Sequence, residues 1–260
     1  MAYVFAGQAM TNSNVYRHTF QIRVHDLDFT GKVSMPALIR LLENQRWHAL
    51  SAQAKVGAYF LSVVMRAQSI EIDAELHFDD TVEAEMWVSG VGRSSLTFGH
   101  TLASDRTGGV FGRSAVTVVS LDLEGRPRPL DEGVRRFIVE RETVDLPRLE
   151  PIPAPADAWS HDFRVRFSDL DLLKHVNEAR YVNYVEDARY ACAAQEGYGP
   201  DSQRASGRIR RLVVSYEGQA RAGDRLRVAT WQLASGEYAF DMKREPDGEV
   251  MALVRAEVDG

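Results

Sequence analysis

The most constraining feature of this chain is that it contains itself twice. His18 to Arg46 (HTFQIRVHDLDFTGKVSMPALIRLLENQR) aligns without a gap on His161 to Arg189 (HDFRVRFSDLDLLKHVNEARYVNYVEDAR), a constant shift of 143, and 9 of the 29 positions are identical: His18, Phe20, Arg23, Asp26, Leu27, Asp28, Val33, Glu43 and Arg46, each with its partner. An ungapped repeat of this length fixes domain organisation more firmly than chain length does, because each copy must close its own apolar face. A chain of 260 residues is otherwise compatible with one large domain or two ordinary ones. The repeat selects two: residues 1–145 and 159–260, joined by a linker at 146–158 within a stretch, Asp145 to Trp159, that holds four of the nine prolines.

Periodicity orders the elements within each copy. Phe20, Ile22 and Val24 alternate with polar residues, as do Phe163, Val165 and Phe167, the period-two pattern of a half-buried strand. An acidic loop follows, then a helix. Ser34 and Asn177 occupy the same repeat position and are both good N-caps; Pro36 suits a first helical turn, and Gly57 and Gly197 suit stops about 20 residues later. Strand-like runs follow at Ser69–Ile72, Thr81–Val91, Ser95–Ala103 and Val110–Leu123, and again at Ile209–Tyr216, Arg225–Leu233, Tyr238–Arg244 and Val250–Val258. Each copy is therefore one strand, one long helix and a meander of about four strands. Such a set buries its single apolar faces best as an antiparallel sheet wrapped around the helix, an α+β fold.

Composition removes several classes of function. A formal charge of −6 argues against nucleic-acid binding, which normally uses a basic face. No run approaches a membrane span, and the first ten residues, MAYVFAGQAM, lack the basic start of a secretory signal, so no membrane association is expected and the cytoplasm is the expected address. A single cysteine, Cys192, excludes an internal disulfide and reads as a small core residue. The seven histidines are scattered and phosphate-binding glycine loops are absent, so neither a metal nor a cofactor is expected.

The order of these pieces resembles a known family. FQIRVHDLDFTGKVSMPALIRLLE and VVMRAQSIEIDAELHFDDTVEAEMWVSGVGR are similar to the opening and following strands, GRPRPLDEGVRR to the stretch before the linker, and RFSDLDLLKHVNEARYVNYVEDAR to the second-half segment, of the acyl-acyl carrier protein thioesterases of plants and bacteria. The resemblance spans nearly the whole chain and implies tandem hotdog folds paired within one chain, so both monomer and homodimer are open. It implies hydrolysis of an acyl thioester on acyl carrier protein, with chain binding in the first half and catalysis in the second. Single-copy acyl-CoA thioesterases share the DLD and HVN motifs, so acyl-CoA stays open as substrate. A non-catalytic acyl-binding protein also stays open, because Leu173 stands where the family carries Asn, and Gln219 and Ala220 stand at the family's Glu or Cys position. Hydratase chemistry is disfavoured, since Asp171 and His175 are four apart with Leu173 and Lys174 between them.

Thioester hydrolysis needs an activated water or a carboxylate nucleophile together with donors for the developing oxyanion. The resemblance places the catalytic acid at Asp171 and the catalytic histidine at His175, with Asn177 and Gln219 as the other polar positions. Asp171 precedes the cap Asn177, where helix-start amides could bind an oxyanion. In the first copy Asp28 aligns with Asp171, Lys32 replaces His175, and Glu75 aligns with Gln219 when one gap is allowed. Asp28 and Glu75 are thus either remnants or an alternative catalytic pair. Glu43 with Arg46 and Glu186 with Arg189, three apart on the helices, read as surface ion pairs. Leu38, Leu41, Leu42 and Trp47, and likewise Tyr181, Val182, Val185 and Ala188, form helical stripes that read as core or acyl-pocket wall. Arg204, Arg208, Arg210 and Arg211 place four arginines in eight residues without an acid, a candidate docking patch for an acidic carrier protein.

Overall fold

The computed structural model describes residues 14–51, 63–122 and 124–259. Residues 1–13, the expected helix stop Gly57 and the expected strand end Leu123 lie outside the described residues. Contacts divide the chain into two compact units: residues 1–65 with 73–145, and residues 66–72 with 146–260.

In the first unit β1 (Val15–Gln21) pairs antiparallel with β3 (Thr81–Val91), β3 with β4 (Ser95–Ser104), and β4 with β5 (Gly109–Ser120). Helix α1 (Met35–Ser51) packs on β1 and β3. Ser34 caps it, its Oγ accepting from the Ala37 amide at 3.3 Å. Val82, Ala84 and Met86 alternate inward on β3, and Ala37, Leu38, Ile39 and Leu42 of the helix are buried as well.

In the second unit β6 (Trp159–Arg164) pairs with β8 (Arg225–Ala234), β8 with β9 (Glu237–Glu245), β9 with β10 (Val250–Val258) and β10 with β7 (Ile209–Tyr216). Helix α2 (Glu178–Ala194) lies against β6 and β8. Its Val182, Val185, Ala188 and Cys192 are fully buried, and burial pushes the Cys192 thiol up to about 11, which keeps it protonated and inert. The helix ends before Glu196, which takes a left-handed φ of 55°, while Gly197 is needed for close packing: a Cβ there would lie 2.6 Å from Cys192 Sγ.

Two stretches group with the second unit. Residues 66–72 of β2 (Val63–Ile72) group with the second unit, because Ala67 to Glu71 pair with Ser215 to Arg211 of β7. The 146–158 stretch also groups with that unit rather than standing apart. The 143 shift survives in three dimensions, since α1 and α2 begin and end at equivalent residues and so do the bridges Leu27–Val33 and Leu170–Val176.

Two expectations about the helices are corrected. Arg46 and Arg189 are buried rather than on the surface. Arg189 donates to the carbonyls of Ala205 and Gly207, the latter at 2.8 Å, and its guanidinium lies over the Tyr190 ring. A buried guanidinium satisfied by carbonyl acceptors clamps the 205–207 turn onto α2, a role that local spacing does not reveal. Trp47 is 42% exposed and Leu41 only partly buried, so the first apolar stripe is narrower than its spacing suggested.

Candidate active site

The loop from Asp169 to Asn177 is built by its own backbone. Asp169, buried, accepts from the Arg166 amide at 2.8 Å and from Tyr184 Oη at 2.8 Å, and its carbonyl accepts from the Asn177 amide at 2.9 Å. Burial and the neighbouring Asp169 carboxylate push the Tyr184 phenol well above its ordinary value. The first copy repeats the frame: Asp26 accepts from the Arg23 amide at 2.9 Å, and its carbonyl accepts from the Ser34 amide. The first acid of each DLD motif is thus a bracket for the loop. The second acid of the second copy, Asp171, instead faces His175.

Asp171 and His175 are brought together by a tight turn. The Asp171 amide donates to the His175 carbonyl at 2.9 Å, the Lys174 amide to the Asp171 carbonyl at 3.1 Å, and the Leu173 amide to Asp171 Oδ1 at 2.8 Å. Lys174 takes a left-handed φ of 62° to close this turn, where the first copy uses Gly31 at 80°. The remaining carboxylate oxygen, Oδ2, then lies 3.1 Å from His175 Nδ1, with the two side chains 24% and 17% exposed. His175 Nε2 is buried and meets no protein hydrogen-bond partner among the described residues. A carboxylate on Nδ1 fixes the ring and the tautomer and leaves Nε2 as the basic nitrogen. The geometry supplies a histidine base oriented by an acid.

The other expected positions behave differently. Asn177 Oδ1 accepts from the Ala179 amide at 3.0 Å, which is a capping bond. Helix-start amides are mostly engaged within the protein: Val176 donates to Ala220, Asn177 to Asp169, and Arg180 to Asn177. Gln219 is exposed and takes no part in the hydrogen bonds of the dyad. Its neighbour Ala220 supplies the contact instead, through its carbonyl to Val176 at 2.8 Å and its amide to Tyr181 Oη at 2.9 Å. Tyr181, which spacing marked only as part of an apolar stripe, also donates to the Gly218 carbonyl at 3.3 Å, and burial pushes its phenol up to about 12. This tyrosine ties the helix to the 218–220 loop behind the dyad. The signal available in the sequence was its polar tip in an otherwise aliphatic row.

The equivalent loop of the first copy is closed on itself. Asp28 Oδ1 accepts from the Thr30 amide at 2.7 Å and the Thr30 hydroxyl at 2.6 Å, and Lys32 Nζ pairs with Glu75 at 2.5 Å. An ammonium paired with a carboxylate supplies no base. Asp28 and Glu75 are not in contact through these bonds.

The arginine run is largely neutralised from within the unit. Arg208 pairs with Asp259, Arg210 with Glu257, and Arg211 with Glu257 and Glu71, each at 3.1 Å, while Arg204 donates to Ser235 at 3.3 Å. Arg164, Arg166, Arg221 and Arg225, by contrast, have no acidic partner within 4.0 Å among the described residues. A cavity of about 840 Å³ lies beside the loop, lined by Phe163, Arg164, Arg166, Asp169, Arg180 and Tyr184 among others. Among the described residues no cluster of three metal-ligating side chains occurs, and no helix is long and apolar enough to cross a membrane.

The chain is similar to known thioesterases over most of its length. Residues 22–159 match the profile of the thioesterase-like superfamily, and residues 153–258 match the C-terminal domain of acyl-ACP thioesterases. Palmitoyl-acyl carrier protein thioesterase of Arabidopsis thaliana is 25% identical over 199 residues, which is 69% of this chain and 48% of the relative. Oleoyl-acyl carrier protein thioesterase 2 of the same plant is 22% identical over 202 residues, 69% of this chain and 55% of the relative. The chain thus spans about half the length of the curated relatives it matches. The acyl-ACP thioesterase of Bacteroides thetaiotaomicron superposes with a TM-score of 0.77 at 19% identity, over 95% of this chain and 98% of that one. The 12:0-ACP thioesterase of Umbellularia californica gives 0.78 at 19% identity, over 96% and 99%. These superpositions establish the tandem hotdog fold. With the superfamily profile covering just over half of its residues, the chain belongs to the thioesterase-like superfamily.

Proposed function

We propose that this protein hydrolyses an acyl thioester carried on acyl carrier protein, releasing the free acid and the carrier thiol. The observation that carries the reading is the Asp171–His175 pair, 3.1 Å apart, with His175 Nε2 left without a protein partner. In this reading Nε2 takes a proton from water as the water oxygen attacks the thioester carbonyl. The imidazolium, held by the Asp171 carboxylate, then returns the proton to the departing sulfur as the tetrahedral intermediate collapses. Asp171 positions the histidine and balances its charge, with one oxygen committed to the Leu173 amide. Asn177 and Tyr181 hold the loop and do not touch the reacting atoms. The first unit takes the acyl chain, and Asp28 and Glu75 contribute structure.

Carrier recognition is proposed to rest on Arg164, Arg166, Arg221 and Arg225 more than on the 204–211 run. None of the four makes a direct ion pair among the described residues, although Arg225 acts on Asp162 and Arg166 on Asp187 at longer range, and an acidic carrier is steered by cations that are not locked in close pairs. Reversing Arg164 and Arg166 to Glu should raise KM for acyl-carrier substrate at least about tenfold at low salt, with kcat and acyl-CoA turnover little changed.

Release of free thiol from a panel of acyl-carrier and acyl-CoA thioesters tests the reading. Turnover on carrier substrates should exceed that of the Asp171→Asn, His175→Gln double variant by about 10²-fold or more. Turnover confined to acyl-CoA would move the substrate to the coenzyme. Equal rates for wild type and the double variant on every substrate would leave acyl binding without catalysis.

A further inference from the structure

The sheet of the first unit carries a polar row where a chain-binding core needs none. On β4 and β5 the paired positions Leu96 with Val118, Phe98 with Val116 and His100 with Ser114 lie on one face, two apolar rungs followed by a polar one. Phe98, Val116 and Val118 belong to an apolar cluster with Tyr16 and Met86, and Ala49, Val63, Met65, Val88 and Leu96 pack against it while retaining partial exposure. The face is therefore accessible at its apolar end and closed at its polar end. His100 and Ser114 are both fully buried, and among the described residues neither ring nitrogen of His100 nor the Ser114 hydroxyl makes a hydrogen bond of good geometry, the nearest acceptor to the ring being the Ser114 backbone. Burial, reinforced by the Arg46 guanidinium and only partly offset by the Ser114 backbone, pushes the His100 imidazole down to about 3 and keeps it neutral, one nitrogen a donor and the other an acceptor. Unsatisfied buried polar groups are costly and rare in native cores, and two side by side on adjacent strands point to a ligand atom that completes them.

We propose that His100 and Ser114 recognise an oxygen function on the acyl chain, so that the substrate is a hydroxy- or oxo-acyl thioester rather than a plain saturated one. The assignment rests on the first unit's role as chain binder in the thioesterase reading. A hydroxyl both donates and accepts, matching a neutral imidazole beside a serine, whereas an oxo group uses the donors alone. The apolar rungs Leu96–Val118 and Phe98–Val116 hold the methylene segment that leads to it.

Calorimetric binding of free acids, matched in chain length with and without a hydroxyl or oxo group, reads the preference without requiring catalysis. Free-thiol release from the corresponding acyl-carrier thioesters reads it in turnover. Wild type should favour the oxygenated acid at least about tenfold. His100→Leu should bring that ratio to about one while raising the melting temperature, because an apolar side chain replaces an unsatisfied one; Ser114→Ala should reduce the ratio with the fold intact. Equal or weaker binding of oxygenated acids by wild type, or a preference that survives His100→Leu, overturns the inference, water alone then being the partner of these groups. Hydrolysis without the preference removes this inference and leaves the thioesterase reading standing. The preference without hydrolysis does the reverse.

Discussion

Replacing Tyr181 with Phe tests whether the loop behind the dyad is held by one phenol. The hydroxyl accepts from the Ala220 amide at 2.9 Å and donates to the Gly218 carbonyl at 3.3 Å, and Ala220 is fully buried. Removal loses a bond and strands a buried amide, which costs about 1–3 kcal/mol. For a protein of this size that lowers the melting temperature by roughly 2–4 °C per kcal/mol. The pH dependence isolates the group. Burial raises the folded phenol from 10.0 to about 12, so its contribution is complete below pH 10 and is lost as the unfolded chain ionises first. At pH 11 the loss is about 1.4 kcal/mol in the wild type and absent from the Phe variant. Urea denaturation of both proteins between pH 8 and 11 should therefore show a gap that narrows with rising pH. A constant gap, or equal stabilities at pH 8, would refute the role assigned to the hydroxyl.

Other consequences follow from single contacts. Arg189→Met should destabilise the protein by about 2–5 kcal/mol, since it leaves the Ala205 and Gly207 carbonyls without their donor; a denaturant midpoint unchanged from wild type would contradict the clamp. Lys174→Gly should leave stability unchanged or raise it by up to about 1 kcal/mol, because it removes the left-handed strain at φ 62° that Gly31 avoids in the first copy. A loss above about 1 kcal/mol in the same assay would show that the lysine side chain does more than tolerate the turn.

The fold was legible because its signals are local and repeated. The runs Thr81–Val91, Ile209–Tyr216 and Val250–Val258 coincide with strands; burial alternates at the start of the first, whereas most residues of the other two are buried. The 143 shift carried cap, loop and helix together. Asp171 and His175 were legible for the same reason, as a turn that closes over four residues brings their side chains into contact. What was illegible depends on distant chain. Arg189 was read as a surface cation because its acceptors lie in the 205–207 turn, and spacing does not show that Gln219 is exposed while Ala220 beside it is buried. The arginines of 204–211 looked uncompensated because their acids come from Glu71, Glu257 and Asp259. The grouping of residues 66–72 with the second unit follows from hydrogen bonds to β7 that no local pattern announces.

In the proposed reaction Asp171 and His175 perform thioester hydrolysis as a pair and the first copy's Asp28 does not. Single-turnover thiol release from an acyl-carrier thioester, measured for Asp171→Asn, His175→Gln, their combination and Asp28→Asn, tests it most directly. Losses of about 10²–10⁴-fold are expected for each dyad variant, no further loss in the combination, and a rate within about twofold of wild type for Asp28→Asn. Full activity in both dyad variants, or activity abolished by Asp28→Asn alone, would contradict it.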